Sequence, residues 1–67
     1  MAGEQIDIKH IKEAREAKGI SISEMSKALG YESYVAYYRK EQGTRKFSTS
    51  DVVKISRVLG LELDEIF

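Results

Sequence analysis

Two short helix-forming runs, joined by a four-residue turn, constrain the fold of this chain more than any other feature. The runs cover residues 22–29 and 34–41, and the turn between them reads Gly30-Tyr31-Glu32-Ser33. A serine precedes each run, Ser21 and Ser33, and serine is a preferred N-cap because its hydroxyl accepts a hydrogen bond from the first helical turn. The pattern predicts two short helices that follow one another through a tight turn.

The remaining sequence predicts three more helical segments. Asp7 is a candidate N-cap for a first helix over residues 8–18. Ser48 and Asp51 form a candidate capping box at the start of a helix over Thr49–Leu59, and a last short helical turn follows it. No segment alternates apolar and polar residues as a half-buried strand does. We therefore predict an all-α fold, a compact five-helix bundle.

Apolar residues at three- and four-residue spacing mark the helix faces that we expect to point inward. On the first helix these residues are Ile8, Ile11 and Ala14, and Arg15 lies on the same face. On the later helices they are Met25, Ala28, Leu29, Val52, Ile55, Val58 and Leu59. These positions are expected to form one small core.

Length and composition limit the chain to one small domain. With 67 residues and no cysteine, it has neither a disulfide framework nor a thiolate zinc site, which indicates a reducing, cytoplasmic setting. No apolar run is long enough to span a membrane, and the first ten residues lack the apolar segment of a signal peptide. We expect residues 6–67 to form the domain and residues 1–5 to be frayed.

The charges of the chain sum to zero but are unevenly placed. Eleven basic residues balance eleven acidic ones. Four of the basic residues lie between positions 38 and 46, where Glu41 is the single acid; these are Arg39, Lys40, Arg45 and Lys46. The last seven residues carry three acids and no base. This distribution predicts positive potential at the end of the third helix and in the loop that follows it.

No arrangement of residues indicates catalysis or cofactor binding. His10 is the only histidine, has no second metal ligand at a suitable spacing, and is expected on the surface. Asp64 and Glu65 are adjacent, but neither a base nor an apolar cleft accompanies them. We therefore predict no enzyme activity, no metal, no cofactor and no small-molecule substrate. A generic helical bundle remains an alternative on the pattern of caps and glycines alone.

Several segments of the chain match a known type of domain. They are Arg15-Glu16-Ala17-Lys18-Gly19-Ile20-Ser21, Ala28-Leu29-Gly30, Glu41-Gln42-Gly43, Arg45-Lys46-Phe47-Ser48 and Val58-Leu59-Gly60-Leu61-Glu62-Leu63-Asp64-Glu65-Ile66-Phe67. On these segments the chain resembles the phage-repressor and Cro type of helix-turn-helix domain, also called lambda-repressor-like, from residue 11 to residue 67. The resemblance implies a sequence-specific DNA-binding transcriptional regulator, most simply a bacterial or phage repressor.

The chain departs from the family pattern at two points. Ile22 stands where many members have a glutamine that touches a DNA phosphate, and isoleucine cannot make that contact. The stretch from Gly30 to Gly43 is one residue longer than the commonest spacing. The turn or the start of the third helix must absorb this residue, so the base-contacting positions are assigned to within one residue.

The resemblance implies that the third helix enters the major groove of double-stranded DNA. At positions similar to those where the family contacts bases stand Tyr34, Val35 and Tyr38, whose apolar groups suit thymine methyls. Tyr37 is expected to face inward. The expected phosphate contacts are Arg39, Arg45, Lys46 and Thr44, with Lys40 behind them and with backbone N–H groups of the loop 43–46. The alternatives are tyrosines in the core and a solvated run of charges.

The resemblance also implies a structural ion pair. In similar domains an arginine of the first helix pairs with a glutamate at the end of the third, and these residues are Arg15 and Glu41 here. Two parallel hydrogen bonds between a guanidinium and a carboxylate would fix the angle between the two helices.

A homodimer on a palindromic operator is the expected assembly, with the C-terminal residues Leu63, Ile66 and Phe67 as the candidate interface. The alternative is that all three close the core. Dimerisation by residues of a longer regulator, of which this chain is the N-terminal module, stays open. The alternative function is a protein-interaction module, such as an antirepressor or antitoxin partner, which retains the fold without DNA binding. The zero net charge, Ile22 and the acidic C-terminal end favour that alternative.

Overall fold

The structure, a computed structural model, describes residues 6–67, and within them side-chain caps and glycines set the ends of five helices. The helices are α1 (Ile8–Ala17), α2 (Ile22–Ala28), α3 (Tyr34–Glu41), α4 (Thr49–Leu59) and α5 (Leu63–Ile66). The all-α, five-helix prediction is confirmed. The predicted first and second helices each extend one residue too far, since Lys18 and Leu29 are C-cap residues. The expectation of a frayed segment 1–5 lies outside the described residues.

Each predicted N-cap makes its hydrogen bond. The Asp7 carboxylate accepts from the backbone N–H of His10 at 3.0 Å, and the Ser33 hydroxyl accepts from that of Val35 at 3.1 Å. Ser21 and Glu24 form a reciprocal capping box, with bonds of 2.8 and 3.0 Å. Ser48 and Asp51 form a second one, so the starts of α2 and α4 are set by local chemistry.

The tight turn between α2 and α3 depends on one glycine. Gly30 has φ +88°, a left-handed conformation that a side chain disfavours. The N–H of Gly30 donates to the carbonyl of Lys27, and the N–H of Tyr31 donates to that of Ser26. This pair of bonds is the Schellman arrangement, which ends α2 and redirects the chain toward α3.

Eight side chains from all parts of the bundle form the core. They are Ile11, Met25, Leu29, Tyr37, Val52, Ile55, Leu59 and Ile66. The expectation that Ala28 faces inward is wrong, because Ala28 is exposed. Met25 and Leu29 are one turn apart and share the buried face, whereas Ala28 is rotated by about 100° from Leu29 toward solvent.

The C-terminal helix packs beneath the start of α1. Ile66 is fully buried, and its carbonyl accepts a hydrogen bond of 2.6 Å from the backbone N–H of Asp7. Ile66 therefore belongs to the core, and its assignment to a dimer interface is wrong. Leu63 and Phe67 remain about half exposed. No helix in the part of the chain that the structure describes is long and apolar enough to cross a membrane.

Candidate nucleic-acid interface

The helix α3 divides its side chains between the core and the solvent. Tyr37 and Glu41, one turn apart, are buried, whereas Tyr34 and Tyr38 form a second pair that is 57% and 46% exposed. The structure thus separates the tyrosines as the helical spacing predicts. Val35 is half-buried. The exposed side of α3 consequently offers two phenol rings to a partner.

A buried cluster of polar groups holds α3 against α1. Arg15 Nε lies 2.9 Å from Glu41 Oε2, and Arg15 Nη2 lies 3.0 Å from Glu41 Oε1, which is a two-pronged pairing. Arg15 Nη1 also donates to the carbonyl of Ile20 at 2.7 Å, and the Tyr37 hydroxyl donates to Glu41 Oε2 at 2.7 Å. The Arg15 and Glu41 side chains are 8% and 1% exposed, so water competes little for these bonds.

The contacts within this cluster shift the pKa values of Arg15 and Tyr37. The hydrogen bond to Glu41 raises the pKa of Arg15 above its usual value, and this effect exceeds the opposing effect of burial. Burial of the phenol raises the pKa of Tyr37, and its hydrogen bond to Glu41 adds to the rise. The cluster therefore keeps a charged guanidinium and a neutral phenol around one carboxylate. The Phe47 ring packs edge-on against the Tyr37 ring, and the two ring centroids are 6.1 Å apart.

A second polar cluster holds α3 against α4, and the sequence did not indicate it. Lys40 donates both to the Asp51 carboxylate and to the Tyr31 hydroxyl, and Tyr31 donates to Asp51 in turn. Asp51 Oδ2 also accepts from the backbone N–H of Ser48 at 2.9 Å. Asp51 and Tyr31 hold the ammonium group of Lys40 inside the fold, and the expectation that Lys40 stands behind the phosphate contacts stays a prediction.

The proton affinities in the second cluster reflect competing effects. Burial alone would raise the pKa of Asp51, but hydrogen bonds from Lys40, Tyr31 and Ser48 outweigh it and hold the pKa below its usual value. For Lys40 the effects have the opposite signs. Burial acts to lower the pKa of Lys40, but the hydrogen bonds to Asp51 and Tyr31 outweigh burial and raise this pKa above its usual value. Both partners are accordingly charged at neutral pH.

The side chains of the loop 43–46 are exposed, whereas most of its backbone N–H groups donate to carbonyls at the end of α3. The N–H groups of Thr44 and Arg45 donate to the carbonyl of Arg39 at 3.0 and 3.3 Å, and that of Gly43 donates to Lys40 at 3.1 Å. The Thr44 hydroxyl also donates to the Arg39 carbonyl, at 3.0 Å. In the free domain Thr44 and these N–H groups close the end of α3, and the expectation that they contact phosphates stays a prediction.

Two predicted phosphate contacts meet beside a predicted base contact. A shallow cleft of about 430 Å³ runs between α3 and the loop, and Arg39, Arg45 and Val35 all line it. Arg39, Arg45 and Lys46 are exposed. The structure thus brings Arg39 and Arg45 together beside α3.

An apolar groove of about 540 Å³ lies between α4 and the C-terminal end. Outside α3, the large exposed apolar side chains of residues 6–67 are Val53, Leu63 and Phe67, and all three line this groove. Arg45 and Lys46 line it as well. Such a concentration of apolar surface is typical of a protein contact site.

Among residues 6–67 no group of three potential metal ligands comes together. His10 lies at the surface, with its Nε2 3.9 Å from the exposed Glu65 carboxylate. This pair is open to solvent, where such an interaction contributes little.

A comparison with protein families matches the helix-turn-helix family over residues 11–66. Comparisons with curated proteins and with solved structures find no match. The matched range contains all of α2, the turn at Gly30 and α3, together with both polar clusters. Members of this family are DNA-binding regulators that are typically not enzymes. With its five helices and this match over most of its length, the chain belongs to the Cro/C1-type helix-turn-helix family, a family of DNA-binding transcription regulators.

Proposed function

We propose that this protein is a repressor that binds a palindromic operator as a homodimer in the bacterial cytoplasm or in a phage-infected cell, with α3 in the major groove. The exposed side of α3 carries the proposal, because Tyr34 and Tyr38 project from it while Arg39 and Arg45 flank it. A bound dimer would occlude a promoter. We assign the whole of residues 6–67 to one DNA-binding domain.

Base contacts are assigned to Tyr34, Val35 and Tyr38. Their rings and methyl groups can meet thymine methyls, and the two exposed hydroxyls can donate to base edges. Phosphate contacts are assigned to Arg39, Arg45 and Lys46, which are all exposed, and the first two line the cleft beside α3. Thr44 supports them indirectly, since it holds the loop to the end of α3.

Dimerisation is assigned to the apolar groove, through Leu63 and Phe67 with Val53 beside them. A two-fold dimer places the same patch of both copies in contact, and it sets two recognition helices about one turn of B-DNA, roughly 34 Å, apart.

The test is selection of bound sequences from a random duplex pool, followed by titration at several salt concentrations. We expect one palindromic motif, and we expect Arg45→Ala with Lys46→Ala to weaken binding to all duplexes while the salt slope flattens by about two units. The matched control is Lys9→Ala with Lys12→Ala, which removes two exposed charges from α1 and should leave the slope unchanged. An undiminished slope in the loop variant contradicts the phosphate assignment.

The second candidate is a protein-interaction module that does not bind DNA. The apolar groove lined by Val53, Leu63 and Phe67 favours it, as does the zero net charge. Retention on heparin at low salt separates the two functions, because a DNA-binding domain is held until salt elutes it and an interaction module passes through. Absence of any enriched duplex in the selection would favour the module.

A further inference from the structure

Two adjacent residues of α3, Lys40 and Glu41, have opposite charges and hold two different neighbours. The Glu41 carboxylate accepts hydrogen bonds from the guanidinium of Arg15 on α1, and the Lys40 ammonium donates to the carboxylate of Asp51 on α4. Neighbouring residues of a helix point about 100° apart, so the two attachments pull on different sides of α3. Tyr37 lies between them and is fully buried.

Attachment at two angles resists rotation of α3 about its own axis. One ion pair alone would leave the helix able to turn around that contact, whereas a second pair at another angle removes this freedom. A rotation of roughly 20° would shift a side-chain tip at a radius of roughly 6 Å by about 2 Å. A shift of that size is enough to break a hydrogen bond to a base edge.

Asp51 is a firm anchor for the second attachment. Its side chain is 6% exposed, and its carboxylate accepts from Tyr31, from Lys40 and from the backbone N–H of Ser48. These donors come from the turn before α3, from α3 itself and from the start of α4. The network therefore joins the three segments whose relative placement sets the exposed side of α3.

We propose that the Lys40–Asp51–Tyr31 network is a positioning device that sets the rotation of α3 and thereby the sequence selectivity of DNA binding. The inference rests on the proposed function for its DNA readout. Lys40 is a positioning residue here, since its ammonium is held inside the fold and away from phosphates. It should therefore affect the choice among sequences without contributing to the electrostatic attraction for DNA in general.

The main variant is Lys40→Met, which keeps an unbranched apolar stem and removes the ammonium. We expect the ratio of operator to non-specific affinity to fall at least tenfold, while the salt slope on non-specific DNA stays as in the parent protein. Lys40→Arg should restore most of the ratio because a guanidinium can reach the same carboxylate. Tyr31→Phe removes one hydroxyl and should give an intermediate loss even where Lys40→Met is poorly folded.

The matched control is Lys54→Met. Lys54 is a more exposed lysine that also joins α4 to another element, since its Nζ donates to the carbonyl of Leu29 at the end of α2, at 3.2 Å. Its loss should change the selectivity ratio less than twofold. A Lys40→Met protein with unchanged selectivity overturns the inference, and so does a salt slope reduced by about one unit, which would make Lys40 a phosphate contact.

A measurement without DNA separates this inference from the proposed function. Residual dipolar couplings of the free protein report the orientation of α3 relative to α1 and α4. We expect Lys40→Met to rotate α3 measurably and Lys54→Met to leave it in place. Failure of the parent protein to select any duplex would overturn the proposed function and the DNA part of the inference, whereas an unrotated α3 in Lys40→Met overturns the positioning role itself.

Discussion

The guanidinium of Arg15 is almost removed from water, yet three of its nitrogens have hydrogen-bond acceptors in the fold. A buried charge with partners is tolerated, and the same charge without them is strongly destabilising. Each of Arg15, Glu41 and Tyr37 therefore depends on the others for its buried hydrogen bonds. No buried side-chain nitrogen or oxygen of residues 6–67 lacks a partner.

Removal of one member should reveal this dependence. We expect Arg15→Ala to reduce the free energy of unfolding by ~3–5 kcal/mol, because Glu41 keeps a buried charge without its cation. For a domain this small, that loss should abolish cooperative unfolding or lower the Tm strongly. The control is Glu16→Ala, whose exposed carboxylate lies 3.8 Å from Arg15 and should matter little. Equal melting temperatures for Arg15→Ala and the parent protein would refute the role of the pair.

Asp51 should make stability depend on pH in a defined direction. Its pKa is lower in the folded protein than in the unfolded chain, so its charged form stabilises the fold at neutral pH. That contribution is present above the unfolded value of about 4 and is lost as the pH falls through the folded value. We expect Asp51→Asn to lose ~1–3 kcal/mol at pH 7.

Denaturant unfolding from pH 7 to pH 2.5 checks this expectation. The difference in unfolding free energy between the parent protein and Asp51→Asn should narrow as the solution becomes more acidic. A difference that is constant over the whole range would show that the charge of Asp51 contributes nothing. Glu13→Gln is the control, since Glu13 is exposed on α1.

At the scale of the elements, the connection between α2 and α3 determines how α3 is presented. The turn is short because Gly30 adopts a left-handed backbone conformation and ends α2 with two hydrogen bonds. The Ser26 hydroxyl adds a third tie, since it donates to the carbonyl of Ser33 at 2.8 Å. The conformation of the turn therefore depends mainly on Gly30 and on the hydrogen bonds of Ser26.

Gly30→Ala tests the turn. An added Cβ would meet the Lys54 ammonium at 3.8 Å, an ordinary contact, so the cost should come from the backbone conformation alone. We expect a loss of about 1–2 kcal/mol in the free energy of unfolding. Gly30→Asn should lose less, because asparagine tolerates the left-handed region better. A loss by alanine no greater than that by asparagine would contradict a conformational origin.

Local signals in the sequence predicted the helices well. Serine, aspartate and glycine set helix ends through bonds to residues nearby in the chain, so the bounds of α3 and α4 could be predicted. The partner of Lys40 could not be predicted, because Lys40 and Asp51 meet only when the loop after α3 brings the start of α4 back against α3. Spacing along one helix carries no information on such a contact. The same limit explains the burial of Ile66, which depends on where α5 packs.

At the scale of the whole molecule, the basic and apolar surfaces meet at the loop after α3, because Arg45 lines both the cleft beside α3 and the apolar groove. The domain measures 32 × 22 × 18 Å, and its longest dimension is close to one turn of B-DNA, roughly 34 Å. Two copies in contact could each present α3 to successive major grooves on one side of a duplex. The groove lined by Leu63 and Phe67 is the surface that we propose for that contact.

Charged substitutions in the groove test the assembly. We expect Leu63→Glu with Phe67→Glu to weaken self-association at least tenfold, since two apolar contacts are replaced by like charges at a two-fold interface. Sedimentation equilibrium measures this effect, and affinity for a single half-site should not change. The control is Tyr34→Glu, which alters a similarly exposed ring on α3 and should impair DNA binding alone. Unaltered association in the double variant would exclude the groove as the interface.

Within residues 6–67, the side-chain hydrogen bonds that attach α3 to other elements use Lys40 and Glu41, and none uses the side chain of Tyr34, Tyr38 or Arg39. Tyr37 supports Glu41 from within the helix. The residues that support the helix and the exposed residues that we propose for recognition are different residues of one short element. Mutations at positions 34, 38 and 39 can therefore accumulate without loss of the folded state. Under the proposed function, a lineage of such proteins could acquire new target sequences one substitution at a time at positions 34 and 38, whereas changes at position 39 would adjust the affinity for all duplexes. Positions 34 and 38 are accordingly the first choice for a library that redirects the domain to a chosen operator.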